Sequence, residues 1–311
     1  MAKNILHRRL FLQGLAASSC VAASGWPMVN AASAQDLSAQ RITDSITLVS
    51  GAGGNVTLHR GEQGLTLIDS GRQDLAPELL SLVDELSGSA PVKTLFNTHW
   101  HEDHTGGNEA LHARGARIIA HENTRLWLGA DFDVAWRQWQ HQPRPPQALP
   151  DSTVYDAGKL DLGEETLIYE HVPQAHTDGD LYLHFPVSNV LVAGGLLSNK
   201  RYPIADIATG GWIGGLISAN ATLLARVDDN TIIVPDRGPA LKKADLQAQH
   251  DMLADLYEQM KTLARQGLSG HEMLLKGVTS AYDPLWGDPE EFVLETYRGM
   301  WAHTYDMGGF I

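Results

Sequence analysis

Cysteine is almost absent from this sequence, since the 311 residues contain a single one, Cys20. Its scarcity excludes a disulfide framework and a zinc site built from several thiolates. Basic residues are also few, with 23 Lys and Arg against 37 Asp and Glu and a net charge of −14. That balance argues against a nucleic-acid partner, which is normally bound by a basic face. Histidine, by contrast, occurs 14 times, so a transition-metal site here has to be built from imidazole and carboxylate.

The first 34 residues have the pattern of a signal peptide, which is removed from a mature protein. Arg8 and Arg9 precede an apolar stretch over residues 10–21, and residues 32–34 form an A-x-A cleavage site, so we predict cleavage after Ala34. Residues 7–13 are similar to the twin-arginine export consensus, with an ordinary Sec signal or a short basic helix as the alternatives. We therefore expect a periplasmic protein whose partners include the twin-arginine export machinery. After residue 34 no stretch is apolar for the roughly 18 residues that a membrane span needs, so no span is predicted.

The rest of the chain alternates between strand and helix patterns. Short β-branched runs broken by Gly-rich turns over residues 42–69 predict an antiparallel meander, and helical spacing predicts a helix over 75–86. Further strands are predicted at 92–96, 117–120, near 154, and at 167–172, 181–185, 190–193 and 231–234, with helices at 109–113, 213–227 and 242–265. The alternation favours a layered α/β or α+β sandwich with its helices outside.

Two segments have no clear period. Residues 131–150 carry Trp and several Pro, and they are interpreted as a loop insertion over the body. The tail from His271 onward is expected to pack as helices on the outside. We predict one domain over residues 35–311, of which 241–311 form a helical C-terminal extension.

A cluster of metal-ligand residues follows the predicted strand at 92–96. It reads His99-Trp100-His101-Glu102-Asp103-His104. Two histidines at i and i+2 on an extended segment project to the same side, so His99 and His101 can reach one ion. Asp103 and His104 follow at a turn and can face a neighbouring position about 3.5–4 Å away, the usual spacing of two-metal hydrolytic sites. The alternative is a surface cluster of histidines without an ion.

In these residues the sequence resembles the metallo-β-lactamase superfamily, whose hallmark is the motif H-x-H-x-D-H after a core strand. The resemblance covers most of the chain after residue 34 and implies an α+β fold, a four-layer αβ/βα sandwich. It assigns the next ligand to His176, which precedes a Gly-Asp pair, and an early structural role to Asp69. It further implies that His99, His101 and His176 form the first metal site, a donor set that also suits catalytic zinc.

The sequence departs from the family pattern at two positions. Gly195 stands where the family has a metal-bridging Asp, and Arg237 replaces the last His. The second metal site therefore keeps only Asp103 and His104. Because one carboxylate facing one guanidinium is locally neutral, we predict that Arg237 occupies the second-metal position and pairs with Asp103. At a distance of 4 Å and an effective dielectric constant of about 20, the attraction between these two charges is about 4 kcal/mol before the cost of removing them from water is subtracted. The alternative is that Arg237 points to solvent.

The function expected from this site is metal-assisted hydrolysis of an acyl-type or related small-molecule substrate, with one Zn²⁺ per chain and a second ion weakly bound or absent. Zinc lowers the pKa of a bound water towards 7. Asp103 and Arg237 are the predicted catalytic residues: Asp103 orients the water or accepts its proton, and Arg237 stabilises an oxyanion or an anionic substrate group. Two alternatives stay open. One is a degenerate member of the fold that binds a metal or a partner without turnover. The other is a mononuclear iron oxygenase acting on persulfides, which the loss of the carboxylate at Gly195 disfavours.

Other features carry weaker expectations. Residues 199–203 and 209–212 resemble periplasmic members of the superfamily found with quinoprotein or sulfur-oxidation systems, which adds periplasmic redox proteins as candidate partners. The lone histidines are predicted to be structural or at the surface; they are His121, His171 and His184. Asp236 lies in a turn and is not assigned a role. Trp212 and the tryptophans over residues 127–139 are expected to pack in the core rather than to line a substrate cleft.

Overall fold

The computed structural model describes residues 37–303. The predicted signal peptide and Cys20 lie outside these residues, so the predictions that rest on them stay predictions. Among the described helices none is both long enough and apolar enough to cross a membrane.

Seven strands form the first sheet, in the order β1-β2-β3-β4-β5-β6-β9. Neighbours are antiparallel from β1 to β4 and parallel from β4 onward. The strands are β1 (Ser38–Arg41), β2 (Ile46–Ser50), β3 (Val56–Gly61), β4 (Gly64–Ile68), β5 (Val92–Phe96), β6 (Arg117–His121) and β9 (Ser152–Val154). The meander predicted from the β-branched runs is therefore the antiparallel half of this sheet.

Five strands form the second sheet, in the order β10-β11-β12-β13-β14. All neighbours are antiparallel except β13 and β14, which run parallel. The strands are β10 (Gly158–Asp161), β11 (Thr166–Val172), β12 (Asp180–Phe185), β13 (Val190–Gly194) and β14 (Ile232–Pro235). A separate hairpin pairs β7 (Phe132–Val134) with β8 (Trp139–His141).

Nine helices of the described chain accompany the sheets. They are α1 (Ala76–Ser87), α2 (Glu102–Thr105), α3 (Asn108–Ala113), α4 (Glu122–Gly129), α5 (Ile213–Arg226), α6 (Lys243–Arg265), α7 (Gly270–Leu275), α8 (Asp283–Trp286) and α9 (Glu290–Ala302). Helix α1 illustrates how residues at the two ends of a helix determine where it begins and ends. It has a proline in its first turn, where no backbone N–H is needed, and it ends at Gly88 with φ 65°, a left-handed conformation that favours glycine.

Three clusters of buried side chains show the layers. The two sheets pack face to face through residues such as Ile46, Phe96, Leu181 and Phe185. The outer face of the first sheet packs on α1 and α3, and the outer face of the second sheet packs on α5, α6 and the helices near the C-terminus. The order helix, sheet, sheet, helix is the predicted four-layer α+β sandwich, and the prediction is confirmed.

The structure differs from the sequence expectations in two segments. Residues 131–150 contain the β7–β8 hairpin rather than only a loop, because strands of three residues are too short to show an alternating pattern. The tail after residue 270 does not lie only on the outside. Met273, Phe292, Val293 and Met300 are buried in the cluster beneath the second sheet.

Candidate metal centre

Three histidines from two loops converge at one end of the two sheets. His99 follows β5, His101 precedes the first residue of α2, and His176 lies between β11 and β12. Each offers a ring nitrogen, and the three atoms lie within 4.8 Å of one another. The structure therefore brings together the three residues that the sequence predicts as the first metal site.

Hydrogen bonds orient the rings of His99 and His176. The Nδ1 of His99 lies 3.0 Å from the Thr98 hydroxyl, which itself donates to Asp69 and so accepts from the ring. The Nδ1 of His176 donates to the Ile204 carbonyl over 2.6 Å. Both hydrogen bonds place the proton on Nδ1, which leaves the lone pair of Nε2 directed at the cluster.

His101 is held in the opposite sense. Its Nε2 donates to Oδ2 of Asp206 over 3.0 Å, so its Nδ1 carries the lone pair. That nitrogen lies 3.0 Å from Nε2 of His176. Two lone pairs that face each other at this distance repel, and a cation between them removes the repulsion. The residues present therefore fit a bound divalent metal ion, which imidazole nitrogens bind in their neutral form.

Electrostatics keep two of these rings neutral. Burial, with the nearby His104, holds the pKa of His99 well below its ordinary value. Burial also lowers the pKa of His176, to about 3. Neutral rings need not lose a proton before they bind a metal, which favours binding at neutral pH.

Asp206 is a functional residue that sequence reasoning missed. Its carboxylate is buried and accepts hydrogen bonds from His101 and from the Thr209 hydroxyl, the latter over 2.7 Å. Burial alone would raise the pKa of Asp206, but the hydrogen bond from His101 lowers it below its usual range. A signal existed in the sequence, because Asp206 interrupts an apolar run and a buried carboxylate needs a partner.

The side chains predicted for the second-metal position, Asp103, His104 and Arg237, form a network of ion pairs. The Arg237 guanidinium forms an ion pair with the Asp103 carboxylate, as the sequence analysis predicts. Burial alone would raise the pKa of Asp103, but the positive charges of His104 and Arg237 hold it far below its usual range. Asp103 is therefore a fixed negative charge with a cation on either side.

His104 lies at the predicted second position, but both of its ring nitrogens face carboxylates. Nδ1 is 2.8 Å from Asp69, and Nε2 is 3.4 Å from Asp103. Burial alone would lower the pKa of His104, but these two carboxylates raise it to about 9. At neutral pH the ring is thus a buried cation, which does not serve as a ligand while it is protonated.

Gly195 has a packing reason to lack a side chain. A Cβ built at this position would lie 2.2 Å from Cδ2 of His176, so the ring covers the space that a side chain would need. An Asp here would require His176 to move. The absence of a carboxylate at residue 195 therefore goes together with the position of the His176 ring, which occupies the space that the side chain would need.

Asp236, left unassigned by the sequence analysis, belongs to this region. Its Oδ2 pairs with Arg201 at 3.1 Å and lies 4.0 Å from Nε of Arg237. Burial raises the pKa of Asp236. Asp69, His104, Asp103, Arg237, Asp236 and Arg201 thus form a chain of alternating charge that runs through the second position.

A cleft of about 460 Å³ opens onto the histidines. Basic and acidic side chains dominate its lining; they are Arg137, Lys200, Arg201 and Arg237, and Asp103, Asp206, Asp236, Asp288 and Glu291. Arg137 comes from the hairpin, between β7 and β8. Trp286, Asp288 and Glu291 come from the C-terminal segment, so the tail supplies one wall of the site.

Trp212, the hairpin tryptophans and the histidines His121 and His171 lie outside this lining. Trp212 stacks on His303, with ring centroids 4.0 Å apart, in agreement with a packing role. Trp136 and Trp139 of the hairpin are exposed at 44% and 43%, so they are not core residues as expected. His121 stacks on His171 at 3.7 Å, which joins the two sheets and gives both histidines a structural contact.

Comparison with known proteins establishes the class. The family model for the metallo-beta-lactamase superfamily matches residues 49–245, and the chain belongs to this superfamily. Members of the superfamily are mostly hydrolases, which supports hydrolysis as the reaction class. The matched range ends at the start of α6, so the wall built by the C-terminal segment lies beyond it.

Particular relatives are more distant. The hydroxyacylglutathione hydrolase of Erythrobacter litoralis (strain HTCC2594) is 27% identical over 104 residues, a third of this chain and a third of that protein. A metallo-beta-lactamase from Pontibacter korlensis is 20% identical, with a TM-score of 0.56, over 70% of this chain and 99% of that one. The sec-alkylsulfatase Pisa1 from Pseudomonas sp. is 16% identical, with a TM-score of 0.65, over 85% of this chain and 50% of that one. The two structural likenesses show the shared fold.

Proposed function

We propose that this protein is a periplasmic hydrolase that binds one zinc ion on His99, His101 and His176 and cleaves an acyl-type bond in a small molecule. The observation that carries the proposal is the convergence of three ring nitrogens, each oriented by a hydrogen bond at the opposite side of its ring. Carboxylate and carbonyl partners of this kind fix the tautomer and the direction of metal-binding histidines. The periplasmic location rests on the signal-peptide pattern of residues 1–34.

A zinc ion held by three neutral histidines would supply Lewis acidity and a water molecule of lowered pKa. The protein's own residues would do the rest. Asp103, kept ionised by its two cationic neighbours, would accept a hydrogen bond from the attacking water and so orient it. Arg237 is 45% exposed towards the cleft and presents its remaining N–H groups to the developing negative charge on the substrate.

Arg237 and the protonated His104 would take the electrostatic place of a second metal ion. Both form ion pairs with the carboxylate of Asp103. A fixed cation costs no reorganisation during the reaction, but it does not bind a leaving group as a metal does. We therefore expect hydrolysis that is slower and narrower in scope than at a two-metal site.

The experiment measures bound metal and hydrolysis on the same protein. The exported protein is purified, its metal is quantified by mass spectrometry, and it is assayed with an ester, a thioester, a β-lactam and an alkyl sulfate. We expect about one zinc per chain, with hydrolysis that a chelator removes and zinc restores. His176→Asn should abolish both, whereas His271→Asn, at an exposed histidine on α7, should leave both unchanged.

Three results would contradict the proposal. Bound zinc without hydrolysis of any of these substrates would indicate a non-catalytic binding protein. Bound iron with oxygen consumption on a persulfide would indicate an oxygenase. A protein that remains in the cytoplasm after expression in its natural host would overturn the location.

A further inference from the structure

A short turn connects the two loops that carry the three histidines. It begins at Asp206, the last residue of a segment after β13 that we call the 195–206 loop, and it ends at Thr209. The backbone N–H of Asp206 donates to the carbonyl of His176 over 2.7 Å. The carbonyl of Thr209 accepts from the backbone N–H of Asp178 over 2.9 Å. The loop that carries His176 is therefore fixed to this turn by its backbone.

The loop that carries His99 and His101 is fixed to the same turn by side chains. Trp100 lies between the two histidines, and its indole N–H donates to the Thr209 hydroxyl over 3.0 Å. That hydroxyl donates over 2.7 Å to Oδ2 of Asp206, the oxygen that also accepts the proton of His101. A chain of three hydrogen bonds thus connects Trp100 with the ring of His101.

The direction of these hydrogen bonds follows from the chemistry of the groups. An indole N–H only donates and a carboxylate only accepts, so the Thr209 hydroxyl accepts from Trp100 and gives its single proton to Asp206. Hydrogen bonds in such a chain polarise one another, so that each strengthens the next. Trp100 therefore strengthens the contact of Thr209 with the carboxylate that orients His101, although Trp100 does not line the cleft itself.

The hydrogen-bond chain is shielded from water. Thr209 is fully buried, and Trp100 and Asp206 are each 4% exposed. The β7–β8 hairpin supplies part of the cover through three rings whose centroids lie 5.7, 6.1 and 5.1 Å from that of Trp100; they are Phe132, Trp139 and His141. In such an interior a hydrogen bond is stronger than in water, and a donor or acceptor left without a partner is costly. Loss of one member should therefore disturb the others.

We propose that Trp100 is a positioning residue of the metal centre, whose indole N–H acts through Thr209 and Asp206 to fix the ring of His101. The inference rests on the proposed function and adds a residue that is not itself a ligand. Because the same turn holds the loop of His176, the hydrogen-bond chain also keeps the two ligand loops in register. Ligands that are already in place lose less freedom when the ion binds, so they bind it more tightly.

The test measures zinc affinity of the purified exported protein by competition with a chelator. Trp100→Phe keeps an aromatic ring without the N–H, and zinc binding should weaken about threefold to tenfold, the net effect of one hydrogen bond. Thr209→Val removes the hydroxyl and should cause a larger loss, whereas Thr209→Ser keeps it and should retain most of the affinity. Trp136→Phe is the matched control, because this indole donates to Glu295 instead; its zinc affinity should be unchanged.

A double variant shows whether the indole acts through Thr209. If it does, Trp100→Phe should cause little further loss of zinc affinity in the Thr209→Val background. Zinc-free protein offers a second readout. At a pH where the ring is neutral, ¹⁵N NMR of His101 shows which ring nitrogen carries the proton. We expect the proton on Nε2 in the parent protein and a larger share on Nδ1 in Trp100→Phe.

Three results would overturn the inference. They are unchanged zinc affinity in Trp100→Phe, an equal loss in Trp136→Phe, and losses that multiply in the double variant, which would show that Trp100 and Thr209 act independently. If the parent protein binds no zinc, the proposed function fails. The NMR measurement then still decides the role of Trp100, because an unchanged proton position on His101 in Trp100→Phe would contradict it.

Discussion

The two metal positions predicted from the sequence lie side by side in the protein, but their side chains are arranged in opposite ways. At the first, each histidine has one nitrogen hydrogen-bonded away from the centre and one lone pair directed into it. At the second, both nitrogens of His104 face carboxylates, and the carboxylate of Asp103 faces a guanidinium. The comparison teaches that the identity of ligand residues does not define a metal site. What defines it is whether their lone pairs are free.

The largest effect is expected from the first position. His176→Asn removes one of the three ligands, so zinc affinity should fall by at least about 100-fold, the upper end of what the loss of an outer partner alone causes. His104→Asn should leave one zinc bound, because this histidine has no free lone pair. Metal content after dialysis measures both. Loss of zinc in His104→Asn would show that His104 contributes to zinc binding and would contradict the distinction between the two positions.

The next effect tests the orientation of His101. Asp206→Asn removes the charge that fixes the tautomer of the ring, and zinc affinity should fall by about 10-fold to 100-fold. Competition with a chelator of known affinity measures this change. Asp288→Asn, at an exposed carboxylate of the same cleft, should have little effect. Unchanged affinity in Asp206→Asn would show that the ring is held by packing alone.

A smaller effect is expected from the contact between the hairpin and the C-terminal helix. The buried carboxylate of Glu295 on α9 accepts from Trp136 and Arg137 of the hairpin and from Arg298. Glu295→Gln should destabilise the protein by about 1–3 kcal/mol, which lowers Tm by roughly 2–4 °C per kcal/mol.

Glu295→Gln also tests whether zinc binding depends on the hairpin. We expect the content to stay at about one zinc per chain, because Glu295 is not a ligand of the first position. Thermal unfolding and metal analysis of Glu295→Gln, beside the exposed-site control Glu290→Gln, check both expectations. A normal Tm would show that the hairpin is not anchored by this carboxylate.

Much of this could be predicted from the sequence, and the reasons are local. The motif from His99 to His104 and the strand before it are contiguous, so spacing alone places their side chains. The ion pair between Arg237 and Asp103 followed from charge, because two missing ligands left one carboxylate without a dication. Helix α6 was predicted within one residue of its bounds, since its apolar period is long.

The rest depends on contacts between distant segments. Asp206 is far from His101 in the chain, and only the path of the 195–206 loop brings them together. The hairpin strands of three residues carry no period. The wall from the C-terminal segment arises because α8 and α9 pack beside the second sheet, which no local pattern of residues 270–303 indicates.

The central claim is that Arg237 stands in place of a second metal ion, and the most direct test is the metal content of the parent protein beside Arg237→His. This single change supplies a ligand where the family has one and removes the cation on Asp103, without forcing a side chain against His176 at Gly195. We predict about one zinc in the parent protein, and a second, more weakly held zinc in Arg237→His that raises the content towards about two, as in two-metal sites. Two tightly bound ions in the parent protein would contradict the account.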